Sequence, residues 1–234
     1  MRQFEDQPPE AMVAPDVNPY ISRYWTHGPP VIRGLDAPQY EGLWSAAFER
    51  DAPLVVEVGA GNGFYLTGMA EKHPDRNHLG IELRYKRVML VAKKIEKLGL
   101  EHCRILRYDA WCLNDIFIQD SIFQLVTNHP DPWPKKRHEK NRLLGRYFCE
   151  WAARCLKVGG TWRIKTDFRP HIEKILADID GLPLSVIGLS ESVHETGTPW
   201  PAEDDITTNY ESKFIRQGLP VYACLLQKTP SEAD

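Results

Sequence analysis

Residues 54–63 read Leu54-Val55-Val56-Glu57-Val58-Gly59-Ala60-Gly61-Asn62-Gly63, an apolar, β-branched run that stops at a glycine turn. The run has the length and composition of a buried strand. The turn leads into a helical pattern through Leu66, Met69 and Ala70. Strand, glycine turn and helix in that order open a βαβ unit, and the chain beyond repeats the alternation. Residues 77–83 read as a second strand, 85–98 as an amphipathic helix stopped by Gly99, 103–107 as a third strand and 122–127 as a fourth. Residues 138–156 read as a helix closed by Gly159 and Gly160, 161–165 as a fifth strand, and Pro170 opens a further helix. Closing strands are expected at 183–189 and 221–227, with a loop at 197–205 around Pro199 and Pro201. This order predicts an α/β fold, a doubly wound, mostly parallel sheet with helices on both faces.

The chain has 234 residues, 42% hydrophobic and 26% charged, enough for one such domain with a proper core. Expected boundaries are an irregular, proline-rich N-terminal segment at 1–38 that orders only on binding, the α/β domain at 39–228, and a tail at 229–234. No window approaches the roughly 18 apolar residues of a membrane span. Glu5, Asp6, Pro8, Pro9 and Glu10 leave no apolar signal core, so a cytoplasmic protein without a membrane partner is expected. Cys103, Cys112, Cys149, Cys155 and Cys224 form no close zinc-type pairs and read as reduced, buried thiols. His194-Glu195 lacks the second histidine of a zinc helix, and no metal is expected.

The glycine turn sits where a doubly wound sheet binds a nucleotide cofactor. Counted from Gly59, however, the third glycine of a dinucleotide fingerprint should fall at position 64, which is Phe64; Gly63 comes one place early. Glu57 would repel a pyrophosphate but suits a cationic methionyl group, which points to S-adenosylmethionine. Glu82, a little over 20 residues past the turn, stands where an acid accepts hydrogen bonds from both ribose hydroxyls. Asp109, after the third strand, is placed to receive an adenine amino group. An acid on a surface loop is ordinarily just solvated; three acids at successive strand ends are a pattern.

The net charge of −3 argues against indiscriminate nucleic-acid binding, yet the charge is unevenly spread. Arg84, Lys86, Arg87, Lys93, Lys94 and Lys97 face only Glu96 in their helix, a pattern that a solvated face explains. Residues 130–142 are more telling: Pro-Asp-Pro-Trp-Pro-Lys-Lys-Arg-His-Glu-Lys-Asn-Arg. Prolines restrict the backbone, so Asp131 and Trp133 are held in set directions, and the cations that follow suit an anionic polymer. Trp133 has two readings, a stacking surface for a base or simple packing.

These features together resemble the bacterial tRNA (guanine-N(7)-)-methyltransferase family, of the Rossmann-like class I S-adenosylmethionine-dependent type. The residues that carry the resemblance are Glu57-Val58-Gly59, Gly80-Ile81-Glu82, Asp109-Ala110, Pro130 through His138, Lys165-Thr166-Asp167 and Thr208-Asn209-Tyr210-Glu211. The resemblance implies a seven-stranded sheet, S-adenosylmethionine contacts at Glu57, Gly59, Glu82, Asp109 and Asp131, and Asp131 as catalytic residue. It implies substrate contacts at Lys135, Asp167, Thr208, Asn209, Tyr210 and Glu211. It also implies RNA contacts at Arg137, His138, Glu139, Lys140, Asn141 and Arg142, with tRNA as partner and a monomer or homodimer as assembly. Two positions depart from the family: His129 stands where phenylalanine is common, and Asn141 interrupts a stretch that is often more basic.

The implied reaction is methylation at N7 of guanosine in the tRNA variable loop. That nitrogen already carries a lone pair, so positioning should matter more than a general base. Asp131 is expected to orient the guanine and stabilise the positive charge that develops on it. Asp167 and Glu211 are expected to add acceptors, with Thr208 fixing the loop. Two rival readings remain: a same-fold N-methyltransferase of a small purine-like metabolite, and a non-catalytic RNA-binding relative.

Overall fold

The computed structural model describes residues 4–7 and 18–230. The chain divides into two compact units between Ile118 and Gln119.

The first unit carries β1 (Val31–Ile32), β2 (Leu54–Val58), β3 (Asn77–Glu82) and β4 (Cys103–Arg107), in the spatial order β1-β4-β3-β2 and all parallel. Every residue of β2 and β3 is buried, as expected of parallel strands covered on both faces. Its helices are α1 (Pro19–Thr26), α2 (Trp44–Phe48), α3 (Phe64–Lys72) and α4 (Tyr85–Leu98). On α4 the stripe Val88, Met89, Val91, Ala92 and Ile95 is buried, at helical spacing. The helix ends at Gly99, whose φ of 63° and N–H to the Glu96 carbonyl close its last turn.

The described part of the N-terminal segment differs from the irregular stretch that its prolines predict. Asn18 caps α1 by accepting from the Tyr20 N–H, and Pro19 occupies the first turn, where its missing N–H costs nothing. Tyr24 and Trp25 then bury into the same core as α4. Asp6 is buried too: it accepts from the Tyr24 hydroxyl and from Gly34 N (2.7 Å), and pairs with Arg107. The Arg107 guanidinium in turn lies 3.8 Å above the Tyr85 ring. The two-residue β1, an eighth strand beside the seven expected, pairs in parallel with β4.

The second unit carries β5 (Ile122–Asn128), β6 (Leu156–Thr166), β7 (Leu184–Ser190) and β8 (Tyr222–Lys228), in the order β5-β6-β8-β7. β5 and β6 are parallel, and β8 runs antiparallel to both of its neighbours β6 and β7. Its helices are α5 (Arg146–Cys155), α6 (Arg169–Asp178), α7 (Val193–Thr196) and α8 (Asn209–Arg216). Phe148 on α5 packs against Trp151 and the fully buried Trp162.

The expected helix over 138–156 is a 3₁₀ segment, Lys136–Asn141, followed by the shorter α5. Gly159 and Gly160 do not stop that helix but shape β6. Gly159 has φ 79°, and a Cβ on Gly160 would fall 2.8 Å from the Lys157 carbonyl and 2.9 Å from that of Phe123. Glycine thus allows a local irregularity where the β5–β6 register shifts.

All five cysteines are free and buried. Burial pushes the Cys155 thiol up to about 11 and those of Cys149 and Cys224 to about 12. No helix among the described residues is long and apolar enough to cross a membrane.

Candidate active site

In the first unit, the carboxyl ends of β2, β3 and β4 present the acids singled out in the sequence. Glu57 is buried on β2, in register with Gly80. Gly59, Gly61 and Gly63 take φ values of 84°, 55° and 67°, which side chains disfavour. The N–H groups of Gly59 and Ala60 both donate to the Ile81 carbonyl at 2.9 Å, tying the turn to the end of β3. At Gly63 an added Cβ would also meet both Val91 methyls at 2.8 Å.

Glu82 organises this end of the unit. Its Oε2 accepts from Gly61 N at 3.1 Å and faces Arg87 Nη1 at 3.6 Å, while Oε1 accepts from Arg84 N at 2.9 Å. A carboxylate has about four acceptor positions, so both oxygens keep capacity for hydroxyl donors. Asp109 caps the 3₁₀ helix Ala110–Asp115 through Oδ1, which accepts from Trp111 N at 3.0 Å.

In the second unit the segment after β5 carries Asp131, exposed between two residues in the left-handed region, His129 (φ 47°) and Trp133 (φ 39°). For residues with side chains that conformation costs roughly 1–2 kcal/mol each. His129 is held from several sides. Its N–H donates to the Lys165 carbonyl, its ring lies 5.0 Å from Tyr210 and 6.1 Å from Phe214, and Nδ1 is 3.3 Å from Asp167 Oδ1. Burial acts to raise the Asp167 pKa, but the hydrogen bond from His129, a backbone N–H and the nearby histidines together outweigh it and hold the carboxyl below its usual range. The Tyr210 hydroxyl is shifted up, first by burial and then by the Asp167 and Asp131 carboxylates. Asp131, Asp167 and the half-exposed Tyr210 ring therefore share one electrostatic neighbourhood.

The segment 208–211 is built differently from its reading as four substrate contacts. Thr208 caps α8, its Oγ1 accepting from Glu211 N at 3.1 Å. Asn209 and Tyr210 are exposed. The Glu211 carboxylate is buried and faces inward, with both oxygens accepting from Lys165 Nζ at 3.1 and 3.0 Å; Asp205 lies 2.7 Å from the same ammonium. Next on β6, Arg163 holds Asp204 at 2.7 Å. Lys165 had no role of its own in the sequence reading. Its signal is a lysine in an apolar strand, two residues before Asp167.

The cations after Asp131 are not alike. Lys135, Arg137 and Lys140 are exposed, as is Glu139, while His138 and Asn141 are half-buried. His138 meets the Trp133 ring edge-on at 5.6 Å. Arg142 is turned inward, its side chain 12% exposed and bonded to the Pro132 and Trp133 carbonyls. Among the described residues no group of three or more His, Cys, Asp or Glu is placed to hold a metal ion.

A parallel sheet with a glycine turn after one strand and an acid after each of the next two defines a methyltransferase-type α/β fold. The solved structure of the 16S rRNA methyltransferase KamB has this fold, with a TM-score of 0.58 at 15% identity over 79% of this chain and 94% of that one. A family model described as "Putative methyltransferase" matches residues 51–224. The tRNA (guanine-N(7)-)-methyltransferase of Bacillus velezensis is 35% identical over 187 residues, 80% of this chain and 84% of the relative. That of Halalkalibacterium halodurans is 36% identical over 194 residues, 82% and 86%. The chain belongs to the tRNA (guanine-N(7)-)-methyltransferase family.

Proposed function

We propose that this chain transfers a methyl group from S-adenosylmethionine to N7 of guanosine in the variable loop of tRNA. The donor set of the first unit fits that cofactor. Glu57 offers a buried carboxylate beside the glycine turn, Glu82 keeps acceptor capacity for ribose hydroxyls, and Asp109 stands ready for the adenine amino group. When bound, S-adenosylmethionine supplies an electrophilic methyl on a sulfonium sulfur.

The observation that carries the reading is Asp167 and the exposed Tyr210 ring gathered around His129, with Asp131 two residues further along the chain and exposed cations following it. Asp131 and Asp167 accept hydrogen bonds from the ring and amino N–H groups of guanine, donors that the same edge of adenine does not present. Tyr210 offers a ring face for stacking, worth about 1–3 kcal/mol per base. The N7 lone pair is the nucleophile, so no proton is removed; Asp131 also balances the positive charge that methylation leaves on the base. Its part in cofactor contact belongs to the same proposal. Lys135, Arg137 and Lys140 meet the tRNA backbone.

The test is methyl transfer to tRNA from a strain lacking the modification, followed by nucleoside analysis. Asp131→Ala is expected to lower the rate by about a hundredfold or more without changing the melting temperature, since the residue is exposed. Transfer at the wild-type rate would refute the assignment.

A further inference from the structure

Arg142 closes the stretch of sequence that reads as an RNA track, but its surroundings are those of a structural clamp. Its Nε donates to the Pro132 carbonyl at 3.1 Å and to that of Trp133 at 3.3 Å; Nη2 donates to the Trp133 carbonyl at 3.2 Å and Nη1 to Glu139 Oε1 at 3.1 Å. The guanidinium carbon lies 5.2 Å from the centre of the Phe168 ring, the residue that follows Asp167. Donors spent on carbonyls in a largely covered side chain are poorly placed for a phosphate, whereas Arg137 and Lys140 are exposed.

We propose that Arg142 is a positioning residue that fixes the backbone on both sides of the substrate site: the loop of Asp131 through its carbonyls, and the segment of Asp167 through the Phe168 ring. The inference rests on the reading of Asp131 and Asp167 as guanine contacts. The loop needs such a clamp, because His129 and Trp133 hold left-handed conformations that persist only where surrounding contacts over-determine them. Pro132 and Trp133 gain hydrogen bonds for their carbonyls, and the guanidinium can do this while its carbon lies over the Phe168 ring. A lysine ammonium lacks both the fork and the plane.

The experiment is steady-state methylation of unmodified tRNA by wild type, Arg142→Lys and Phe168→Leu, with tRNA affinity measured across a salt series and Arg137→Ala as comparator. Arg142→Lys keeps the charge and is expected to lower kcat at least about tenfold, as small misplacement of reacting groups does, with tRNA affinity within about twofold of wild type and an unchanged salt slope. Phe168→Leu removes the aromatic ring beneath the guanidinium, together with its edge contact to His171, and is expected to lower kcat in the same sense. Arg137→Ala is expected to weaken binding and flatten the salt slope. Wild-type kcat in both Arg142→Lys and Phe168→Leu, or an Arg142→Lys variant whose defect is confined to affinity and salt slope, overturns the clamp. Absence of transfer by the wild type refutes the functional reading instead.

Discussion

Replacing Lys165 by methionine isolates the energetics beneath the substrate segment. The lysine side chain is 1% exposed and that of Glu211 2%, so the variant strands a carboxylate with almost no access to water. Asp205, at 22%, can turn toward solvent. Removing one partner of a buried ion pair costs about 3–5 kcal/mol, a fall in melting temperature on the order of 10 °C for a chain of this size. Urea unfolding followed by tryptophan fluorescence measures the loss. Glu211→Gln added to Lys165→Met removes the stranded charge and is expected to restore more than half of the loss. A loss below about 1 kcal/mol, or a double variant no more stable than the single one, would refute the reasoning.

Three further outcomes are expected. Gly63→Ala forces a side chain into φ 67° and against Val91, and should cost about 1–3 kcal/mol in a thermal melt; an unchanged midpoint would count against the close approach. Burial lowers the His78 pKa to about 4 from 6.5. The unfolded chain therefore takes up a proton between those values that the fold refuses, and stability should fall by about 3 kcal/mol as pH drops through that window; His78→Gln should flatten the decline in an acid titration. Changing Arg137 and Lys140 to glutamine should reduce the salt slope of tRNA binding by about 0.7–0.9 per lost phosphate contact, and an unaltered slope would remove them from the RNA path.

The strands of the first unit were legible because parallel, doubly covered strands leave uninterrupted apolar runs, and α4 because its apolar stripe and closing Gly99 agree. Residues 138–156 misled because a glycine pair after a helical pattern reads as a stop, whereas Gly159 and Gly160 bend a strand. Order in the described part of the N-terminal segment was invisible for another reason: the Asp6–Arg107 pair spans 101 positions, and no local pattern reports it. Candidate acids could be named from their places at strand ends. The work of Lys165 and Arg142 could not, since one meets an acid 46 positions away and the other spends its donors largely on main-chain carbonyls, which every residue possesses.

The buried cysteines have a practical consequence. With Cys103, Cys112, Cys149, Cys155 and Cys224 all shielded, and at least Cys149, Cys155 and Cys224 held protonated well above neutral pH, the native protein offers maleimide reagents little thiolate to attack. A cysteine introduced at the exposed Lys157 position becomes a unique chemical handle. A fluorophore can be placed there without first deleting any native thiol, each of which fills core volume that a smaller or more polar replacement would leave poorly packed.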